Sequence, residues 1–320
     1  MKLSDLEAMS KDEVYDLFSK ERINANSPRE TCTRKFPIGS RAYMWTNEAM
    51  CNLKDDFNLN LKGRDMLVVT ASGDPFPIFS YLGASTIVGF DSSHRASLWA
   101  ELKLLAIDRL NYEGFEKFVG LNKDDEDSEG DEDDKHDETK EKKYVKWLLP
   151  KLSKYGQEFF KPLFEKHGTL RGIVQSGELF RGGECTSYFP GSNIYTDDKI
   201  KYQKARKNLR KNKQVIVPAC ISDVFDKVDH KFGGFYGSNI MDHFRNSAGD
   251  LDHSQSTVSG FLKSVDSHLD KDALMVLQFE WSPEVRQYAT QTLQDLGYKI
   301  DFATTQGKGY GVIGLARREK

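Results

Sequence analysis

The stretch Leu67-Val68-Val69-Thr70-Ala71-Ser72-Gly73-Asp74, with Ile87-Val88-Gly89-Phe90-Asp91 after it, decides the fold class. An apolar run ends in a small, glycine-containing turn. A helix-like segment follows, and a second apolar run closes on a carboxylate. This is the order of the first half of a nucleoside-binding βαβ unit. Small residues over 70–73 let the backbone approach a ligand, because a Cβ there blocks it. Asp91, with Ser92 beside it, is placed to accept hydrogen bonds from ribose hydroxyls. An ordinary strand–turn–helix of a doubly wound sheet, with no ligand, reads the same way.

The turn also discriminates between nucleosides. A dinucleotide fold asks for G-x-G-x-x-G, so that several glycines clear room for a pyrophosphate. Here Gly73 is followed by Asp74 and Pro75. A carboxylate is a poor neighbour for a pyrophosphate and a good one for a cation. The expected ligand is therefore S-adenosylmethionine (SAM), with its sulfonium and amino group, rather than a nicotinamide dinucleotide.

The chain has 320 residues, 38% hydrophobic and 30% charged, with a net charge of −3. Residues 123–142 hold twelve Asp or Glu and four Lys, a balance of −8, so the remainder is mildly basic at about +5. The stretch 123–141 has no hydrophobic side chain to offset its ordering entropy and is expected to be disordered. No apolar run approaches a membrane span, and the first residues lack the apolar core of a secretory signal. Cys32, Cys51, Cys185 and Cys220 are far apart and show no CxxC spacing. They read as reduced thiols of a cytoplasmic protein, with no metal site.

Residues 1–64 read as a helical lead-in and a lid, with Leu3, Leu6, Met9, Val14 and Leu17 roughly on one side. The cofactor domain then spans 65–320. Its first helix starts at Asp74 and Pro75, since proline fits a first helical turn. Ser92 or Ser93 caps the next helix. A minimal doubly wound fold gives its third strand within a few residues, yet here Gln214-Val215-Ile216-Val217-Pro218 arrives about 100 residues later. The interval 111–213 is a long insertion, helical and aromatic over 144–164. It is either a cap over the ligand edge or ordinary core. Strand four lies within 232–240, strand five over 273–279, and 298–304 with 310–316 form a terminal antiparallel pair. Ser282-Pro283-Glu284 opens the helix between them, and Gly297 closes it. The fold class expected is α/β, a Rossmann-like doubly wound seven-stranded sheet ending in an antiparallel hairpin, with the helical lead-in and insertion added.

This order resembles the class I SAM-dependent methyltransferase fold. The resemblance implies an acidic side chain by the adenine amino group after strand three, where Asp223-Val224-Phe225-Asp226 stands. It implies a polar residue at the methionine end after strand four, where Gly237-Ser238-Asn239-Ile240 stands. Asp91 lies 17 positions after Asp74, close to the spacing of a ribose carboxylate. The cofactor-binding set is then Arg41, Thr70, Ala71, Ser72, Gly73, Asp74, Asp91, Ser92, Asp223, Val224 and Asn239.

The segments SRAYMWTNE (40–48), LVVTASGDPF (67–76), ELKLLAIDRLNYEGFEKFVG (101–120), YFPGSNIYTDD (188–198) and SNIMDHF (238–244) resemble a narrower group. These are bacterial proteins related to the SAM:diacylglycerol 3-amino-3-carboxypropyltransferases of betaine-lipid synthesis. The resemblance covers most of 36–245 and implies a SAM-using core with helical additions. SAM donates either its methyl group or its aminocarboxypropyl arm. Both are attacks on a carbon next to a sulfonium, for which the protein supplies orientation and a base. The commonest chemistry of the fold favours methyl, and the resemblance favours the arm. A SAM- or nucleoside-binding module without catalysis is the reading from another class.

Arg41 suits the methionine carboxylate, since a guanidinium fork matches a carboxylate, and Tyr43 faces the acceptor. Asp242 and His243 follow strand four, where His243 serves as a general base near neutral pH. A surface Arg, a core Tyr, a helix cap and an exposed His are the plain readings of the same residues. Arg181-Gly182-Gly183-Glu184 and Pro190-Gly191-Ser192-Asn193 read as loops over the acceptor or as simple turns. The basic run from Lys199 to Lys213 carries one aromatic, Tyr202. Without further aromatics for stacking it is not a nucleic-acid surface. It is a solvated helix face or an anionic-surface contact. The acceptor is a small molecule or a lipid, with transient membrane-surface contact allowed.

Overall fold

The computed structural model describes residues 1–23, 44, 50, 52–120, 138–180, 193–196, 198–238, 240–241, 251–279, 282–304 and 311–318. The central strand, β1 (Asp65–Val69), sends Met66 and Val68 into the core on one face and Leu67 into the core on the other. A strand buried on both faces reads as an unbroken apolar run, and Leu67-Val68-Val69 does so. β2 (Thr86–Phe90) and β3 (Lys213–Val217) add to one side of it, and β4 (Phe232–Tyr236) and β5 (Leu269–Phe279) to the other, all parallel. β6 (Tyr298–Thr304) is the far edge, and β7 (Val312–Arg318) runs antiparallel between it and β5. The order β3-β2-β1-β4-β5-β7-β6 makes this the expected doubly wound sheet with its antiparallel hairpin. The direction of winding reverses between β1 and β4. The carboxyl ends of those strands therefore flank the crevice where open α/β sheets hold ligands.

Helices cover both faces. α1 (Leu3–Ala8) and α2 (Lys11–Ile23) pack against β3, and Leu3, Leu6, Val14 and Phe18 enter the sheet's own core. α3 (Asn52–Asp55) precedes β1. α4 (Pro75–Tyr81) starts with proline in its first turn, as expected. Of the two serines proposed as the next cap, Ser93 serves: its hydroxyl accepts from the Ala96 amide at the start of α5 (His94–Arg109).

Between α5 and β3 stand α6 (Tyr112–Val119), α7 (Glu138–Leu148), α8 (Lys154–His167), α9 (Leu170–Ser176) and α10 (Lys199–Leu209). The aromatic insertion is core in part, while Trp147 is exposed. Phe115, Phe160 and Phe164 share one apolar cluster with α5, and Phe180 packs edge-on against Trp99 at 4.9 Å. α7 begins at Glu138, inside the stretch whose composition predicted no structure. Glu141 is buried there and accepts from the Leu170 amide at 2.5 Å, a contact 29 residues away. The expectation of disorder out to residue 142 is corrected on that ground.

α11 (Ile221–Lys227), α12 (Leu251–Asp266) and α13 (Pro283–Asp295) complete the second face. The Ser282 hydroxyl accepts from the Val285 amide and caps α13, with Pro283 in its first turn. Among the described residues no helix is long and apolar enough to cross a membrane.

Candidate functional site

The chain leaves β1 through Thr70, whose amide donates to the Phe90 carbonyl at 2.9 Å and ties the end of β1 to the end of β2. Ala71 then adopts φ +45° and Gly73 φ +82°. A positive φ is uncommon for a residue with a Cβ, and at Ala71 it accompanies a specific bond. The Ala71 amide donates to Asp91 Oδ2 at 3.0 Å. The Ser93 amide donates to Asp91 Oδ1 at 2.8 Å. The carboxylate is thereby held at the tip of β2, between the first turn and the start of α5. A carboxylate has about four lone-pair sites, so about two remain for a ligand. Burial pushes the Asp91 carboxyl up to about 6, against the lowering effect of the Ser93 and Ala71 amides. Ser92 stands beside it, half-buried.

Gly73 also meets a packing requirement from inside the protein. A Cβ built on it would lie 2.9 Å from the Ala100 Cα. The missing side chain lets α5 pack on the turn.

Asp74 departs from expectation. Its side chain has no solvent exposure, and its Oδ1 lies 2.5 Å from Lys103 Nζ. The Tyr195 hydroxyl donates to the same oxygen, and the Ser72 hydroxyl donates to Oδ2 at 2.7 Å. Lys103 Nζ also donates to the carbonyls of Met44 at 2.8 Å and Ser72 at 3.2 Å. Burial lowers the Lys103 ammonium to about 8, with Asp74 opposing the shift. The reading of Asp74 as the neighbour of a ligand cation is corrected: the cation it compensates is Lys103.

Lys103 and Tyr195 were not read as site residues, and Asn193 was read only as the end of a loop over the acceptor or of a simple turn. Lys103 had a signal. It falls on the apolar stripe of α5 with Ala96, Trp99, Ala100, Ala106 and Ile107, where a charge demands a buried partner. Tyr195 carried none, being 121 residues from Asp74. Asn193 is fully buried, and neither polar atom of its amide has a hydrogen-bond partner among the described residues. The buried Thr70 hydroxyl is likewise without a partner among the described residues.

At the end of β3, the Asp223 carboxylate accepts from the Cys220 amide at 3.1 Å and so caps α11 while standing at the sheet edge. Val224 is fully buried, and its amide donates to the Cys220 carbonyl, so it presents no polar group to the edge. Cys220 is disulfide-bonded. Cys32, Cys51 and Cys185 lie outside the described residues. The expectation of four reduced thiols is corrected at Cys220, because separation in sequence does not fix separation in space. After β4, Ser238 adopts φ +48° and accepts from the Gln278 amide at 3.1 Å. Arg41, Tyr43, Asn239, Asp242 and His243 lie outside the described residues, as do 181–184 and 190–192.

No protein-family model matches this chain, and no curated protein matches it. Among solved structures it is similar to a ribosomal protein methylase from Lactobacillus delbrueckii subsp. bulgaricus, at 11% identity over 84% of this chain and 78% of that one, with a TM-score of 0.37. It is similar to the magnesium protoporphyrin IX methyltransferase of Synechocystis PCC 6803, solved with bound SAM, at 12% identity over 84% and 76% and a TM-score of 0.37. It is also similar to a SAM-dependent O-methyltransferase from Thermotoga maritima, at 6% identity over 88% and 68% and a TM-score of 0.36. At such identities, with TM-scores below 0.5, the fold rests on the strand order itself.

Proposed function

We propose that this chain binds SAM across the carboxyl ends of β1 to β4 and transfers a group from it, a methyl group in the favoured reading, to a small-molecule or lipid acceptor. The observation that carries the reading is Asp91. Its carboxylate is held at the tip of β2 by the Ala71 and Ser93 amides, beside the crevice where the winding reverses, and keeps acceptor capacity for two ribose hydroxyls.

In this reading the turn Thr70, Ala71, Ser72 and Gly73 is the floor beneath the nucleoside, with Ser92 at its rim. Asp223 meets the adenine amino group, and Val224 packs beneath it. Asp74 supports the turn from inside. Arg41 and Asn239 hold the methionine carboxylate and amino group. Bound there, SAM supplies electrophilic carbons next to a sulfonium. The chain's task is to orient an acceptor on one of those carbons and to take the proton the acceptor gives up. His243 is the base, with Tyr43 and Asp242 placing the acceptor. Presenting the methyl or the aminocarboxypropyl arm is a matter of which carbon Arg41 and Asn239 leave exposed.

The test is calorimetric titration with SAM and with NAD, followed by turnover in a mixture of small molecules and lipids. SAM is expected to bind and NAD not. Asp91→Asn is expected to weaken SAM about 10- to 100-fold, the loss of one charged hydrogen bond. S-adenosylhomocysteine as product supports methyl transfer. Methylthioadenosine above the spontaneous background identifies the arm as the transferred group. SAM bound with neither product identifies a non-catalytic module, and NAD binding alone rejects the SAM reading.

A further inference from the structure

Ala71 holds a conformation that its own residue type disfavours. Its φ is +45°, in the left-handed region where a Cβ is crowded. Such a conformation persists only where the surrounding structure imposes it. The Ala71 amide donates to Asp91 Oδ2 at 3.0 Å, so the orientation of that carboxylate depends on Ala71 keeping its positive φ.

The residues on either side of Ala71 supply the constraint. On the strand side it is backbone. The Thr70 amide donates to the Phe90 carbonyl at 2.9 Å, and the Thr70 carbonyl accepts from the Gly73 amide at 2.7 Å. On the helix side it centres on one ammonium. Lys103 Nζ donates to the Ser72 carbonyl at 3.2 Å and to Asp74 Oδ1 at 2.5 Å. The Ser72 hydroxyl donates to Asp74 Oδ2 at 2.7 Å. Ser72 is thus held through both its carbonyl and its side chain.

Lys103 is itself fixed in place. An ammonium has three donors, and the Met44 carbonyl accepts from Nζ at 2.8 Å beside the other two acceptors. The same carbonyl accepts at 3.2 Å from the indole nitrogen of Trp99, which lies one turn earlier on α5 and is fully buried. A buried ion pair is weak evidence for stability, because a well-packed apolar replacement is often neutral. An apolar side chain at 103 fills the volume but cannot orient a carbonyl. Direction is what the ammonium adds.

We propose that Lys103 is a positioning residue for Asp91. By holding the Ser72 carbonyl and Asp74 from inside, it keeps Ala71 at positive φ and the Ala71 amide on the carboxylate at the tip of β2. Its side chain has no solvent exposure, so it touches no ligand and acts through the backbone of the turn. The effect on cofactor affinity rests on the SAM reading of this edge. The effect on the turn does not.

The variant is Lys103→Met with Asp74→Asn, which removes both charges together. The readout is amide hydrogen exchange by NMR, each rate corrected for its intrinsic value, compared between residue 71 and Thr70. A fall in global stability speeds both amides and cannot by itself make residue 71 the faster. The Ala71 amide is expected to exchange about tenfold or more faster relative to Thr70 than in the unmodified protein. Adding Ala71→Gly should restore about fivefold or more of that protection, because glycine takes positive φ as readily as negative. A loss that came only from a disturbed core would not respond to glycine at 71. Ser72→Ala leaves the ion pair in place and keeps the test decisive if the double variant does not fold. It should speed the Ala71 amide about threefold or more and leave Thr70 unchanged. SAM titration of the same proteins should show about fivefold or weaker binding in the double variant, with recovery on Ala71→Gly. If the unmodified protein binds no SAM, the SAM reading is rejected and the exchange rates alone decide the role of Lys103. The proposal is overturned by unchanged protection of the Ala71 amide in the double variant or in Ser72→Ala, by no recovery on Ala71→Gly, or by unchanged SAM affinity in a variant that has lost the protection.

Discussion

Lys103 and Asp74 form an ion pair at 2.5 Å between two side chains with no solvent exposure. The pair joins the middle of α5 to the residue that opens α4, so it sets the shape of the turn above which Asp91 stands. A buried charge whose partner is removed costs about 3–5 kcal/mol. Lys103→Met should lower the unfolding free energy by about that amount in urea titration. Adding Asp74→Asn should recover part of the loss, because no uncompensated charge then remains. If the double variant is less stable than the single by the full cost of a second lesion, the charge is not the source of the penalty.

Asp91 should make stability depend on pH in a defined direction. Its folded pKa of about 6 stands above the ordinary aspartate value of 3.8, so the fold favours the protonated acid. The stability this contributes is fully present below about 3.8 and is lost as pH rises through about 6. A shift of about two units corresponds to at most about 3 kcal/mol. Asp91→Asn cannot ionise. Its stability relative to the unmodified protein should therefore rise between pH 4 and 7, measured by urea unfolding at each pH. A flat difference across that range contradicts the expectation. SAM affinity should fall in parallel below pH 6, where the ribose acceptor is protonated.

Two glycines should respond oppositely to alanine. Gly73→Ala adds a Cβ 2.9 Å from the Ala100 Cα at a residue with φ +82°, and is expected to destabilise by more than about 2 kcal/mol. Gly260→Ala, in α12 with nothing within 4 Å of the added Cβ, is expected to stabilise by about 0.5–1 kcal/mol. Thermal melts of the two variants side by side check both signs.

The acidic stretch should divide at the start of α7. Replacing 123–137 with a short Gly/Ser linker should leave the melting temperature and SAM affinity unchanged, since surface loops tolerate changes in length. Glu141→Ala should cost about 1–3 kcal/mol, because the buried Leu170 amide loses its acceptor. Calorimetry on both variants tests the division. A large loss from the linker replacement would mean that the acidic residues before Glu138 also engage the folded body.

Much of the fold was legible because its causes are local. Buried parallel strands read as the apolar runs at 67–69, 87–90 and 215–217. Pro75, Ser93 and Ser282 act within one turn of their own position. The place of Asp91 at the end of β2 was legible because the apolar run 87–90 stops there, whereas its bond to the Ala71 amide, 20 positions away, was not.

Residue type and periodicity alone carried the element order, the hairpin and the position of the carboxylate at the end of β2, because each is written in an apolar run and the residues that close it. The fate of Asp74, the packing at Gly73 and the burial of Glu141 depend on pairings between residues 27 to 121 positions apart. A carboxylate in a turn looks the same in sequence whether it meets a ligand cation or a lysine of a later helix. Folding brings Lys103 within 2.5 Å, and that proximity, absent from any local pattern, gives Asp74 its role.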